Sequence, residues 1–166
     1  MSTTETLMVA STLDEVTVGQ EFQTLPPHLT VFPWFELDTD RMTVFDDDMR
    51  EVLEQTRSPV ITGGSVKQFG IDEATKVRRL DRPTESFNLI SDFWVHALVY
   101  RSVSELGRGY DPRYVGLHYA PHISDSATRS VAENEIISLN NLTVFKKDEQ
   151  RRKLVKAVYL WDKIDG

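Results

Sequence analysis

Two short segments of the chain share one order of residue types. Pro27-His28-Leu29-Thr30 recurs as Pro121-His122-Ile123-Ser124, that is, proline, histidine, an aliphatic residue and a hydroxyl residue. Residues two apart in a β-strand lie on the same face. Each segment would therefore present an imidazole beside a hydroxyl, while Leu29 or Ile123 packs on the other face. The chain has four histidines, so one such tripeptide would mean little, and the repeat of the whole tetrapeptide carries the hypothesis.

Two imidazole–hydroxyl pairs that face each other across a cleft would suit phosphodiester cleavage. A neutral histidine can remove a proton from an attacking hydroxyl or water, and a protonated histidine can donate one to the departing oxygen. Hydroxyl groups can donate hydrogen bonds to the non-bridging phosphate oxygens and stabilise the developing charge. The predicted catalytic residues are His28, Thr30, His122 and Ser124. The sequence does not tell the base from the acid, and this chemistry requires no metal or cofactor.

The composition limits the kinds of partner that the chain can have. Its 166 residues are 40% hydrophobic, enough for one packed domain. The absence of cysteine excludes disulfides and thiolate metal sites. A formal net charge of −7 argues against binding to extended duplex DNA and favours a nucleotide or short RNA. No apolar run of membrane-spanning length and no secretory signal is seen. A cytoplasmic protein without a membrane partner is expected, and its oligomeric state is left open.

The hydrophobic pattern predicts the elements that would position the two motifs. A helix is expected to follow the capping residues Asp38-Thr39-Asp40 and to end near residue 57. The longest helix is expected to follow Pro83-Thr84-Glu85 and to end at Gly107. The other predictions are strands at 7–13, 28–35, 60–69, 76–80 and 117–124, a short helix near 127–134, and a closing hairpin of 135–145 and 154–161. This order predicts an α+β protein with helices packed outside antiparallel sheets.

The two motif regions resemble the signatures of a known superfamily. The segment His28-Leu29-Thr30-Val31-Phe32-Pro33-Trp34-Phe35 is similar to the first signature of the 2H phosphoesterases, which include the LigT-like 2′-5′ RNA ligases and cyclic nucleotide phosphodiesterases. Tyr119-Ala120-Pro121-His122-Ile123-Ser124 is similar to the second, and residues 136–160 are similar to the closing hairpin of the family. Ser124 replaces the more usual threonine, and residues 16–25 lack the usual opening of the family.

This resemblance implies both a fold and an activity. The implied fold is a single domain over residues 1–166, with two pseudo-symmetric lobes whose antiparallel sheets form a central cleft. The implied activity is that of a metal-independent phosphodiesterase. Its substrates would be 2′,3′-cyclic phosphates, 2′-5′ linkages, or small cyclic nucleotides and oligonucleotides. Compact members also resemble phage-encoded enzymes that destroy nucleotide immune signals, so degradation of a nucleotide second messenger is a compatible role.

Five further residues are candidates for substrate contacts. Trp34 and Tyr119 could stack on a base. Strand alternation puts Trp34 on the face of His28 and Tyr119 on the face opposite His122. The candidates for phosphate or substrate binding outside these aromatics are Lys76, Arg78 and His118.

Each of these residues also has a purely structural interpretation. The motif histidines could be ordinary strand residues, the aromatics could belong to the core, and the cations could be solvated charges at a sheet edge. His28, His118 and His122 could form a metal site, although no His-x-x-x-His helix or nearby carboxylate supports one. His96 lies in an apolar helix and is expected to be a packed or half-exposed residue. The alternative function is a nucleotide- or RNA-end-binding module with little catalytic activity.

Overall fold

In the part of the chain that the structure describes, nine strands form one antiparallel sheet and two helices pack against it. The structure is a computed structural model that describes residues 3–69, 75–81, 86–119, 122–124 and 135–161, without the side chains of residues 61–93 and 124. The helices are α1 (Met42–Gln55) and α2 (Ser86–Leu106). The strands are β1 (Thr4–Thr12), β2 (Glu21–Phe22), β3 (His28–Asp38), β4 (Val60–Phe69), β5 (Thr75–Asp81), β6 (His122–Ser124), β7 (Ile136–Ser138), β8 (Asn141–Lys147) and β9 (Lys153–Leu160).

The order of the strands joins the two motif strands at the middle of the sheet. From edge to edge the order is β2-β9-β8-β1-β3-β6-β5-β4-β7. The predicted α+β class with antiparallel strands is confirmed. The prediction of two separate sheets is not, because β3 and β6 are hydrogen-bonded to each other and make the sheet continuous.

Both helices cover the same face of the sheet. Helix α1 buries Phe45, Met49 and Val52, and α2 buries Val95, Val99 and Val103, which are spacings of three or four residues that form one apolar stripe. These stripes pack against the side chains of β1, β3 and β8, where the core contains Leu7, Val9, Val31, Phe32, Phe35, Leu37, Leu142 and Val144. Burial of each large side chain contributes roughly 1.5–3 kcal/mol. In the described ranges, neither helix is apolar over the length needed to cross a bilayer.

Two irregularities in β3 determine which side chains reach the other face. Val31 and Phe32 are consecutive residues, yet both are buried in the core beneath the helices. The pairing of β1 with β3 shifts register twice, between Leu7 and Val9 and between Val9 and Ala10. An extra residue in one strand re-aims the side chains that follow it, and a second extra residue reverses that change. Thr30 and Trp34 therefore both lie on the face that is not covered by the helices.

A buried asparagine fixes the end of β1 that lies beside His28. Thr12 is the register partner of His28. The Asn141 amide accepts a hydrogen bond from the Thr12 backbone N–H at 3.0 Å and donates one to its carbonyl oxygen at 2.9 Å. Thr143 donates a further bond to the same amide oxygen at 2.8 Å. Because a buried amide without partners costs about 1–3 kcal/mol, this satisfied group holds β1 and β8 in one arrangement.

Three local predictions differ from the structure. The predicted strand at 117–124 is a 3₁₀ turn at Gly116–His118 followed by the short β6. Gly116 has a left-handed φ of +63°, which turns the chain before the second motif. The predicted hairpin strand at 135–145 is two strands, since β7 pairs with β4 and β8 pairs with β1 and β9.

The predicted cap of the first helix is also wrong. Asp38 makes no capping hydrogen bond with its side chain. Its carboxylate instead accepts bonds from Thr4 Oγ1 and Arg108 Nη2, both at 3.0 Å. The predicted start of α2 at 83–85 and the predicted helix at 127–134 lie outside the described residues.

Candidate active site

The pairing of β3 with β6 brings the two tetrapeptides side by side. Leu29 and Ile123, the central aliphatic residues of the motifs, are Cα partners in this antiparallel pair. One step in either direction along the register therefore sets Thr30 across from His122, and His28 across from Ser124. Directly opposed residues in an antiparallel pair lie on one face, about 5 Å apart at Cβ. The backbone thus brings all four predicted catalytic positions together.

A cleft of about 270 Å³ lies on the face that these positions share. It contains three polar side chains of the motifs, His28, Thr30 and His122, while the rest of its described lining is apolar or aromatic. That lining is Met8, Leu25, Pro33, Trp34, Tyr114 and Tyr119. A few polar groups within an apolar concave surface are typical of a binding site for a small molecule.

The ring of His28 is held in one tautomer. Its Nδ1 lies 2.8 Å from the carbonyl oxygen of Pro26, which can only accept a hydrogen bond. Nδ1 therefore carries the proton, and in the neutral ring Nε2 is the basic nitrogen. Burial lowers the pKa of His28 below its usual value, the bond to Pro26 opposes that effect, and the nearby His122 lowers the pKa further. His28 is thus suited to be neutral near pH 7.

The second motif contributes His122 to the cleft. His122 is half-buried and lines the same cleft as His28, whose pKa its charge lowers. Ser124 lies in β6 as the register partner of Val77. The side chain of Ser124 is not among those that the structure describes, so its predicted contact with phosphate stays a prediction.

Tyr119 forms a wall of the cleft and also contacts the first motif. Its ring is largely buried and lines the cleft, and its hydroxyl donates a hydrogen bond to the carbonyl oxygen of Thr30 at 2.9 Å. The face that strand alternation predicted for Tyr119 is wrong, because the residue follows a 3₁₀ turn and is not in a strand. Trp34 lines the same cleft as His28 and Thr30.

His96 is a buried residue whose two ring nitrogens both make hydrogen bonds, and the sequence did not single it out as functional. Its Nδ1 donates to the carbonyl oxygen of Val31 at 2.7 Å, and its Nε2 accepts from the backbone N–H of Gly116 at 2.9 Å. Its ring stacks on Tyr119, with centroids 3.9 Å apart and planes 2° from parallel. Burial lowers the pKa of His96, which keeps the ring neutral. His96 therefore links β3, the turn before the second motif, and a wall of the cleft.

The register of β5 relates its cations to the second motif. Arg78 is the register partner of Ile123, whereas Arg79 is the partner of His122. Lys76 pairs with Gln68 on the other side, in β4. Arg79 thus occupies the position across from the second histidine, a register that the sequence alone does not give because it depends on the pairing of β5 with β6. The predicted phosphate contacts of Lys76 and Arg78 stay predictions.

His118 lies apart from the cleft lining. It ends the 3₁₀ turn at Gly116–His118 with an exposed side chain. Its predicted substrate contact stays a prediction. Within the described ranges, no three His, Asp or Glu side chains come together as a group that could hold a metal ion.

These observations define an α+β protein with a two-histidine cleft at the centre of an antiparallel sheet. Solved structures of other proteins share this fold. A protein described as a phosphoesterase matches with a TM-score of 0.60 and 12% identity, covering 94% of this chain and 97% of that one. E. coli LigT in complex with 3′-AMP matches with a TM-score of 0.57 and 13% identity, covering 97% of this chain and 100% of that one. The complex of E. coli LigT with ATP matches with a TM-score of 0.53 and 13% identity, covering 95% of this chain and 98% of that one.

The chain therefore has the fold of the LigT-like phosphoesterases, and the resemblance drawn from the motifs is confirmed at the level of the fold. No family model matches the chain, and no curated protein matches its sequence.

Replacement of His96 by phenylalanine should destabilise the protein. The variant His96→Phe keeps a ring against Tyr119 but leaves the Val31 carbonyl and the Gly116 N–H without their partners. We expect a loss of about 2–5 kcal/mol in the free energy of unfolding, measured by urea denaturation. The control His118→Phe, at an exposed position, should change it by less than about 0.5 kcal/mol. Equal effects of the two substitutions would contradict this role for His96.

Proposed function

We propose that the chain is a phosphodiesterase that uses His28 and His122 as a general base and a general acid, without a metal ion. The observation that carries this proposal is the shared cleft. His28, Thr30 and His122 line it together from two strands that pair at Leu29 and Ile123. A phosphate bound in the cleft would contact both imidazoles, which is the arrangement that paired acid–base catalysis requires.

His28 is the better candidate for the base. Its Nδ1–H bond to Pro26 leaves Nε2 with the lone pair, and its lowered pKa favours the neutral ring. In the proposed reaction, Nε2 takes the proton from an attacking hydroxyl, either water or the 2′-hydroxyl of the substrate. As the new P–O bond forms and the scissile P–O bond breaks, protonated His122 donates its proton to the departing oxygen. His28 takes up one proton and His122 releases one, so the proposed step needs no cofactor.

Two hydroxyl groups are proposed to stabilise the phosphate. Thr30 lies in the cleft beside His122, and Ser124 follows His122 by two residues on the same strand. Hydrogen bonds from these hydroxyls to the non-bridging oxygens would strengthen as charge develops on them. Removal of one such donor typically costs about 10²–10³-fold in rate.

The lining of the cleft favours a nucleotide substrate. Trp34, Tyr114 and Tyr119 line the cleft, and aromatic side chains can stack on any base. Structures of E. coli LigT hold 3′-AMP, ATP and NADP+, and a protein of the same fold can be expected to accept a related ligand. The proposed substrates are 2′,3′-cyclic phosphates, 2′-5′ linkages, or small cyclic nucleotides and oligonucleotides. Degradation of a nucleotide second messenger is the proposed role within that set.

Activity on a panel of substrates in excess EDTA tests this function. The panel contains 2′,3′-cyclic nucleotides, 2′-5′ oligonucleotides, and cyclic di- and trinucleotides, with products identified by mass spectrometry. We expect cleavage of at least one class, because acid–base chemistry by two histidines does not depend on a removable metal. Folded protein that cleaves no member, with or without added divalent metal, would support a nucleotide-binding module instead. Cleavage that EDTA abolishes would contradict the metal-independent mechanism.

The pH dependence of kcat/KM should report the lowered pKa of His28. Because the base acts in its neutral form, activity is present above the pKa of His28 and is lost as the pH falls through it. We therefore expect the midpoint of the acidic limb below 6.5, the ordinary value for histidine. Initial rates at substrate concentrations well below KM give this profile. An acidic midpoint at or above 6.5 would contradict the assignment of His28 as the base.

A further inference from the structure

A lysine lies against the tryptophan that forms one wall of the cleft. The ammonium of Lys147 is 4.3 Å from the centroid of the Trp34 ring, within the range of a cation–π contact. Trp34 lines the same cleft as His28 and Thr30. Trp34 therefore contacts both the ammonium of Lys147 and the cleft that contains the proposed reaction site.

Two other cations lie close to Lys147. Lys153 is its direct register partner across β8 and β9, and like charges in that arrangement are destabilising. Arg151, in the turn between these strands, has a left-handed φ of +62°. Burial lowers the pKa of Lys147, and Lys153 and then Arg151 lower it further. These three residues, Lys147, Arg151 and Lys153, are called the rim cluster.

No carboxylate neutralises the rim cluster within the part of the chain that the structure describes. The nearest acidic residue in sequence, Asp148, is already bonded to the Arg152 side chain at 2.8 Å. Lys153 donates to the uncharged carbonyl oxygen of Gln23 at 3.0 Å. By contrast, the neighbouring Lys146 is paired with Glu5 at 2.8 Å. In a chain of net charge −7, three clustered cations without a counter-charge form a site that an anion would stabilise.

We propose that the rim cluster binds a second phosphate group of the substrate, next to a base that stacks on Trp34. This inference rests on the proposed function and narrows it. The substrate carries at least one phosphate besides the one between His28 and His122. Linear or cyclic oligonucleotides and 5′-phosphorylated nucleotides meet this requirement. A 2′,3′-cyclic mononucleotide without another phosphate would leave the rim cluster unneutralised and would be a poorer substrate.

The test is the variant Lys147→Met, which keeps an aliphatic stem over Trp34 and removes the charge. The substrates are adenosine 2′,3′-cyclic phosphate, its 5′-phosphorylated form, and cyclic diadenylate. For at least one substrate with two phosphates, we expect KM to rise about tenfold in the variant while kcat stays similar. KM for the substrate with one phosphate should stay within about twofold. Lys147→Arg should restore the low KM, and added salt should diminish the difference between native protein and Lys147→Met.

The control is Arg57→Gln, which changes the net charge equally at an exposed position beyond α1. It should keep the native KM for every substrate. The proposal is overturned if Lys147→Met raises KM equally for substrates with one and two phosphates, or for neither, or if Arg57→Gln has the same effect.

A binding measurement separates this proposal from the proposed catalytic function. Isothermal titration compares adenosine 3′-monophosphate with adenosine 3′,5′-bisphosphate on native protein and on Lys147→Met. Tighter binding of the bisphosphate to native protein, lost in the variant, would support the second phosphate site even if no substrate is cleaved. If diesters are cleaved but Lys147→Met keeps the native preference for ligands with two phosphates, both in KM and in binding, the second phosphate site is wrong. The proposed catalytic function would then still stand.

Discussion

The hydrogen-bonded pairing of β3 with β6 is the constraint on which the site depends. These two strands are far apart in sequence, and their contact at Leu29 and Ile123 makes one sheet of the nine strands in the described part of the chain. The same pairing fixes which face each imidazole occupies, because a slip of one residue would send His122 to the opposite face. The buried aliphatic partners oppose such a slip, since Leu29 and Ile123 would then leave the cluster that they form with Leu139.

The surroundings of His28 favour the neutral ring that the proposed base needs. A largely apolar lining disfavours the charged form of His28, while the Pro26 carbonyl fixes its tautomer. Burial also keeps the second buried imidazole, His96, neutral, and one of its ring nitrogens donates a hydrogen bond while the other accepts one. Through its stack on Tyr119, that helix residue connects the packing of the core to the wall of the cleft. Core packing and site geometry are therefore coupled in this protein.

The parts of the site encoded by local pattern could be predicted from the sequence, whereas the parts that depend on strand pairing could not. The repeated tetrapeptide identified His28 and His122 because both imidazole–hydroxyl spacings are local. Lys76 and Arg78 were favoured over Arg79, because alternation within β5 does not tell which of its residues lies across from His122. His96 was taken as a packing residue, since helical periodicity gives burial but not hydrogen-bond partners. Gly116, with its left-handed φ, was the available signal that the strand before the second motif is interrupted.

The central claim is that His28 and His122 act together on one phosphate, and comparison of single and double variants tests it most directly. The rates of His28→Ala, His122→Ala and the double variant are measured on the best substrate, with Arg57→Ala, at an exposed position beyond α1, as the control. Because a paired base and acid act as a unit, each single variant should lose about 10²-fold or more, and the double variant should be little worse than the poorer single. The control should stay within about twofold of native. Losses that multiply in the double variant, or single variants that keep native rates, would contradict the claim.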